Sequence, residues 1–80
     1  MENKLPIIKT SDINLASALL CLGYDVTGID NVNPKKVSFI FMDSPQLATD
    51  MSNYWSGNVR VDPKELSNYR RELLTRVHEA

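Results

Sequence analysis

Histidine is the usual general base at neutral pH, and this sequence holds one, His78, two residues from its end. Chain ends fray, so nothing there would hold an imidazole in place for proton transfer. Nucleophilic chemistry would fall to Cys21, the single cysteine. A reactive thiolate needs a neighbouring base and partial exposure, whereas Cys21 lies on a largely apolar helix, in the apolar run Ala18 to Leu22, where a free thiol acts as a small hydrophobe. The carboxylates Asp25, Asp30, Asp43 and Asp50 could donate oxygens to a hard cation, but their spacing follows no calcium loop. Asp30 and Asp43 also fall at strand ends, where turn and capping roles suffice. Gly23, Gly28 and Gly57 form no phosphate-cradling run. The pattern points away from an enzyme, and no cofactor and no metal is expected.

The arginines carry more information. Arg60, Arg70, Arg71 and Arg76 are all confined to residues 60–80, about the last quarter of the chain. There Leu66, Tyr69, Leu73, Leu74 and Val77 recur at helical spacing as an apolar stripe, and Arg70 falls within it. A charge in that position either snorkels outward along a packed stem or pairs with a carboxylate of this chain or of a second subunit; a ligand phosphate is the remaining partner. Arg71, Arg76 and Lys64 lie on the outward side, with Glu72 four residues before Arg76 in the favourable order for a helix. Tyr54, Trp55 and Tyr69 near these cations offer rings on which single-stranded bases could stack, although their spacing suits core packing. A nucleic-acid interface built from Lys35, Lys36, Arg60, Arg71 and Arg76 is therefore the second functional reading. A net charge of −1 argues against phosphate neutralisation as the main task.

The elements that would position these residues can be laid out from the ends of each segment. Thr10 and Ser11 are N-cap types ahead of a helix with Asp12 in its first turn, and Gly23 is the stop. Ile13, Leu15, Ala16, Ala18, Leu19, Leu20 and Leu22 cover most of that helix's circumference, so it should be central. Tyr24–Ile29 and Val37–Met42 alternate like strands, and the turn formers Asp30 to Lys36 join them as a hairpin. Gly28 interrupts the first strand, as a bulge in the preferred reading or as a close approach to a ligand. Ser44-Pro45 opens a second helix with Leu47, Ala48, Met51, Tyr54 and Trp55 on its packing face, and Gly57 ends it. Asp62-Pro63 with Glu65 starts the last helix. Residues 1 to 9, with Leu5, Ile7 and Ile8 around Pro6, suit a short extended arm or an edge strand. The expected fold is α+β, a helix, a β-hairpin and two helices, in one domain over residues 1–80.

Eighty residues that are 42% apolar and 24% charged make an ordinary globular composition with a thin core. One cysteine allows no internal disulfide, no apolar run approaches the roughly 20 residues of a membrane span, and Met1-Glu2-Asn3-Lys4 does not resemble a secretory signal. The expectation is a cytoplasmic protein with no membrane partner. In the second strand Val37, Phe39 and Phe41 face one way and Ser38, Ile40 and Met42 the other, so both faces carry apolar groups. Helices can cover one face of a small hairpin. Ile29, Ile40 and Met42 on the other would need a dimer partner, another protein, or the arm at Leu5 to Ile8.

Thr10-Ser11-Asp12, Leu15 to Leu20, Gly23-Tyr24, Val37-Ser38-Phe39-Ile40-Phe41 and Val61-Asp62-Pro63 together resemble a family of short phage and prophage-associated proteins of unknown function. The resemblance spans most of the chain and rests on structural motifs, so it carries no catalytic residue across. It implies a phage or mobile-element accessory protein acting in a bacterial host's cytoplasm. The resulting expectation is a non-enzymatic module that binds another protein as adaptor or inhibitor, a host defence component among its targets, or that pairs as a homodimer. Its contact residues would be Ile29, Ile40, Met42, Arg70 and Arg71.

Overall fold

The computed structural model describes residues 7–33 and 35–79. Its elements run β1 (Ile7–Thr10), α1 (Ile13–Cys21), β2 (Val26–Asp30), β3 (Ser38–Met42), α2 (Pro45–Trp55) and α3 (Pro63–Glu79). The fold is α+β, a three-stranded antiparallel sheet with strand order β1-β3-β2. The edge strand expected near the start is present at Ile7–Thr10, and Leu5, Pro6 and the turn residue Pro34 lie outside the described residues.

Local chemistry explains the ends of each helix. The cap of α1 is Asp12, not Thr10 or Ser11: its Oδ1 accepts from the amides of Asn14 at 2.9 Å and Leu15 at 3.2 Å. Thr10 is committed to β1, and its Oγ1 accepts from the Asp12 amide at 3.1 Å. Both α1 and α2 stop at a left-handed glycine, Gly23 at φ +102° and Gly57 at φ +77°. Each forms the two-bond reversal of a Schellman ending. The amides of Gly23 and Tyr24 return to the carbonyls of Leu20 and Leu19, and those of Gly57 and Asn58 to Tyr54 and Asn53. Ser44 caps α2 through the Leu47 amide at 3.0 Å with Pro45 in the first position. At the start of α3, Asp62 Oδ1 accepts from the Lys64 amide at 2.8 Å.

The core forms where α1 lies on one face of the sheet. Leu15, Ala16 and Leu19 of α1 meet Phe39 and Phe41 of β3, and Leu47 and Leu73 close the cluster from α2 and α3. Ser17 is fully buried, and its hydroxyl donates to the Ile13 carbonyl at 2.7 Å, which satisfies it without leaving the helix. The α2 face is narrower than its spacing suggests. Leu47, Met51 and Tyr54 pack, whereas Ala48 is exposed and Trp55 is 65% exposed, its ring edge-on to Tyr54 at 5.1 Å.

Two sequence expectations are corrected by this packing. Arg70 is exposed and does not lie in the buried stripe of α3, and Leu74 is exposed as well. Leu73 is fully buried, and Arg70 and Arg76 stand about 60° to either side of it around the helix. Because α3 packs chiefly on α1 rather than being surrounded, it buries an arc that leans toward Tyr69 and Arg76 and leaves Arg70 outside.

The second correction concerns Ile29. β2 pairs Val26 with Phe41 and Gly28 with Ile40, so Thr27 is an extra residue, the bulge expected at Gly28. One inserted residue reverses the alternation. Val26 and Ile29 therefore share the helix-covered face with their partners Phe41 and Phe39, and Ile29 does not join Ile40 and Met42.

Candidate functional site

The sheet face turned away from the helices is the surface on which the expected contact residues can be judged. Cross-strand partners share a face, so the register places Ile7 beside Met42, Lys9 beside Ile40, Gly28 on the other flank of Ile40, and Asp30 beside Ser38. Ile7 is 48% exposed and Met42 44% exposed, and Ile40 is half-buried. The face has two ends. Ile7, Met42 and Ile40 make one of them apolar. At the other, Lys9 Nζ donates to Asp30 Oδ2 at 2.8 Å and the hydroxyls of Ser11 and Ser38 meet at 3.2 Å.

The side chain missing at Gly28 flattens the middle of this face. A Cβ there would stand 3.6 Å from Cδ1 of Ile40, so the isoleucine already lies over the glycine. Thr27, displaced by the bulge, donates its hydroxyl to the Ile40 carbonyl at 3.2 Å and holds β2 to β3 where the ladder is irregular. Past Thr27 the chain leaves the sheet toward α1. A groove of about 280 Å³ opens there beside Met42, lined by Gly23, Tyr24, Asp25, Thr27, Phe41 and Met42.

The ion pair sets the electrostatics of the polar end. The Lys9 ammonium hydrogen-bonded to Asp30, assisted by the Val32 amide, holds the Asp30 carboxyl below its usual range. Elsewhere among the described residues a short polar contact is structural: Tyr24 Oη donates to Asp50 Oδ2 at 2.6 Å and joins the segment before β2 to α2. Burial and this bond to a carboxylate push the Tyr24 phenol up to about 12. Cys21 is half-buried, and burial together with the nearby carboxylates of Glu65 and Asp62 pushes its thiol up, away from thiolate chemistry.

Of the five expected contact residues, the structure brings Ile40 and Met42 together on the open face and sends Ile29 to the core side. Arg70 and Arg71 are exposed on α3, which belongs to the helical layer on the opposite side of the sheet. Sheet face and arginines therefore cannot form one continuous footprint. The residues of the nucleic-acid reading are spread over separate elements: Lys35 and Lys36 on the β2–β3 turn, Arg60 in the link before α3, and Arg71 and Arg76 on α3. Arg76 is half-buried and lines a groove of about 360 Å³ with Asp25 and Glu72, which gives that groove an excess of negative charge.

No family model, curated protein or solved structure matches this chain. The roles of its residues rest on geometry. Ile7 and Lys9 were not recognised from the sequence as members of a contact surface, because the pairing of β1 with β3 brings them there. The signal available was alternation around Pro6, too short to fix a register.

Proposed function

We propose that this chain is a non-enzymatic, phage-type accessory protein that binds another protein through the open face of its sheet, as an adaptor or inhibitor. A component of a host defence system is the proposed target and the bacterial cytoplasm the proposed setting. The observation that supports the reading is the open face itself: among the described residues Ile7 and Met42 lie exposed beside Ile40, on the side of the sheet opposite the core cluster. Among the described residues no helix is long and apolar enough to cross a membrane. The phage setting rests on the resemblance of the capped first helix, the aromatic strand and the proline-started last helix.

A partner suited to this face presents an apolar surface for Ile7, Ile40 and Met42, bordered by polar groups that can meet Lys9, Asp30 and Ser38. Photo-crosslinking in living cells tests it. A photoreactive residue in place of Met42 should yield adducts with a polypeptide other than this chain, and the same probe in place of the exposed Asn68 on α3 should not. Substituting Ile40→Lys should abolish the adduct while leaving the circular dichroism spectrum unchanged. Absence of any adduct with a foreign polypeptide at position 42 overturns the reading.

A further inference from the structure

The open face is built to match itself. Lys9 stands on β1 and Asp30 on β2, the two edges that flank β3, so the face carries opposite charges on opposite sides of its central strand. A two-fold axis laid along β3 and parallel to the face turns one sheet onto another with each level of the strand preserved and left and right exchanged. β1 of one copy then lies over β2 of the other. Lys9 faces the second copy's Gly28 and Asp30, Asp30 faces the second copy's Lys9, and the two existing ion pairs join into a square of alternating charge. At the apolar end Met42 and Ile40 stack near the axis on their own counterparts. Ile7, the exposed apolar group on β1, stands at the level of Met42 and so comes over the β2 flank of the second copy's Met42. Apolar groups thus meet apolar groups and each charge meets its opposite, the self-complementarity that an isologous contact requires. Aligned packing of two sheets, about 10 Å apart and turned by about 30°, is an ordinary geometry for such faces.

We infer that the open face binds a second copy of this chain, forming a face-to-face homodimer in which Lys9 and Asp30 pair across the two-fold axis. This inference rests on the proposal that the face is a protein-docking surface, and names what covers it when no other partner is bound. The size of the face gives the class of interface. Three strands about 4.8 Å apart and about five residues long give a plan area of about 240 Å². A standard interface buries about 800 Å² of accessible surface per partner, so a face this small belongs to the weak, exchanging class. A second copy held that loosely shields Ile7 and Met42 from non-specific association and still yields the face to a tighter partner.

Sedimentation of the purified chain from about 1 μM to 1 mM is the test, with circular dichroism on every variant to confirm the fold. The wild type should move from the mass of one chain to that of two across this range. Lys9→Glu and Asp30→Lys should each weaken self-association at least about tenfold, because each places like charges together twice. An equimolar mixture of the two variants should recover the dimer, since every cross-axis pair is then attractive. Loss of the pair within one chain alone would not be repaired by mixing. Met42→Lys should also leave a monomer. A wild type that remains a monomer at 1 mM, or a dimer indifferent to Lys9→Glu and Met42→Lys, or a mixture that does not recover, overturns the inference. A monomer that still crosslinks to a foreign polypeptide at position 42 overturns the homodimer and leaves the docking function standing; a dimer with no foreign adduct does the reverse.

Discussion

Lys9 Nζ and Asp30 Oδ2 lie 2.8 Å apart although their backbones belong to the two edge strands, so the ion pair bridges over β3 between them. The contact ties the first strand of the chain to the end of the hairpin through side chains alone. Both partners remain solvated, so its net contribution to stability is small and reduced by salt.

The sign of its pH dependence follows from the lowered Asp30 carboxyl. A carboxyl depressed in the folded state stabilises the fold above its unfolded value of about 3.9, and that contribution disappears as pH falls through the lower folded value. Denaturant unfolding measured between about pH 5 and pH 2 should therefore show a loss of stability at the acid end, part of which is absent in Asp30→Asn. An identical acid slope in wild type and variant would remove Asp30 from the account.

Tyr24 behaves in the opposite direction. Its phenol is raised to about 12, so its contribution is fully present below the unfolded value of about 10 and is lost as pH climbs toward 12. Ultraviolet titration of tyrosinate should show Tyr24 ionising above the unfolded value. Tyr24→Phe should delete that late step and destabilise the chain by about 1 kcal/mol, the scale of a partly exposed hydrogen bond to a charged acceptor.

The glycines separate by backbone conformation. Gly23→Ala forces a side chain into positive φ at the end of α1 and should cost about 1–2 kcal/mol. Gly28 has ordinary φ, and a Cβ there meets Ile40 Cδ1 at a comfortable 3.6 Å. Gly28→Ala should therefore be neutral, or stabilising by up to about 1 kcal/mol through the unfolded chain. Thermal melts of the two variants should shift in different directions or by clearly different amounts.

The packing of α3 predicts a sharp contrast between neighbours on one helix. Leu73→Ala empties a fully buried site in the shared cluster and should cost about 2–5 kcal/mol. Arg70→Ala, at an exposed position, should change stability by no more than about 0.5 kcal/mol. Equilibrium unfolding in urea distinguishes them, and a large effect at Arg70 would mean that its guanidinium has a structural partner after all.

The helix ends and the fold class were legible in the sequence because they depend on a few consecutive residues. Ser44-Pro45, Asp62-Pro63, Gly23 and Gly57 each act within one turn of where they stand, and the α+β pattern follows from spacing along each segment. Even there the choice of Asp12 over Thr10 and Ser11 as the cap was settled by β1, which takes Thr10 into the sheet.

The contact surface was another matter. Spacing alone placed Ile29 beside Ile40 and Met42, since side chains alternate along a regular strand. The extra residue at Thr27 reversed that alternation, and the bulge is visible only in the register between β2 and β3. Arg70 and Arg76 occupy equivalent flanks of Leu73 on a helical wheel, and the lean of α3 on α1 decided which of them is half-buried. Ile7 and Lys9 entered the open face through pairing with a strand some thirty residues away. The sequence by itself determined which elements form and where they stop, because those are short-range hydrogen-bonding and steric problems. Which side chains share a face was decided by the tertiary structure, because register and helix lean depend on residues distant in the chain.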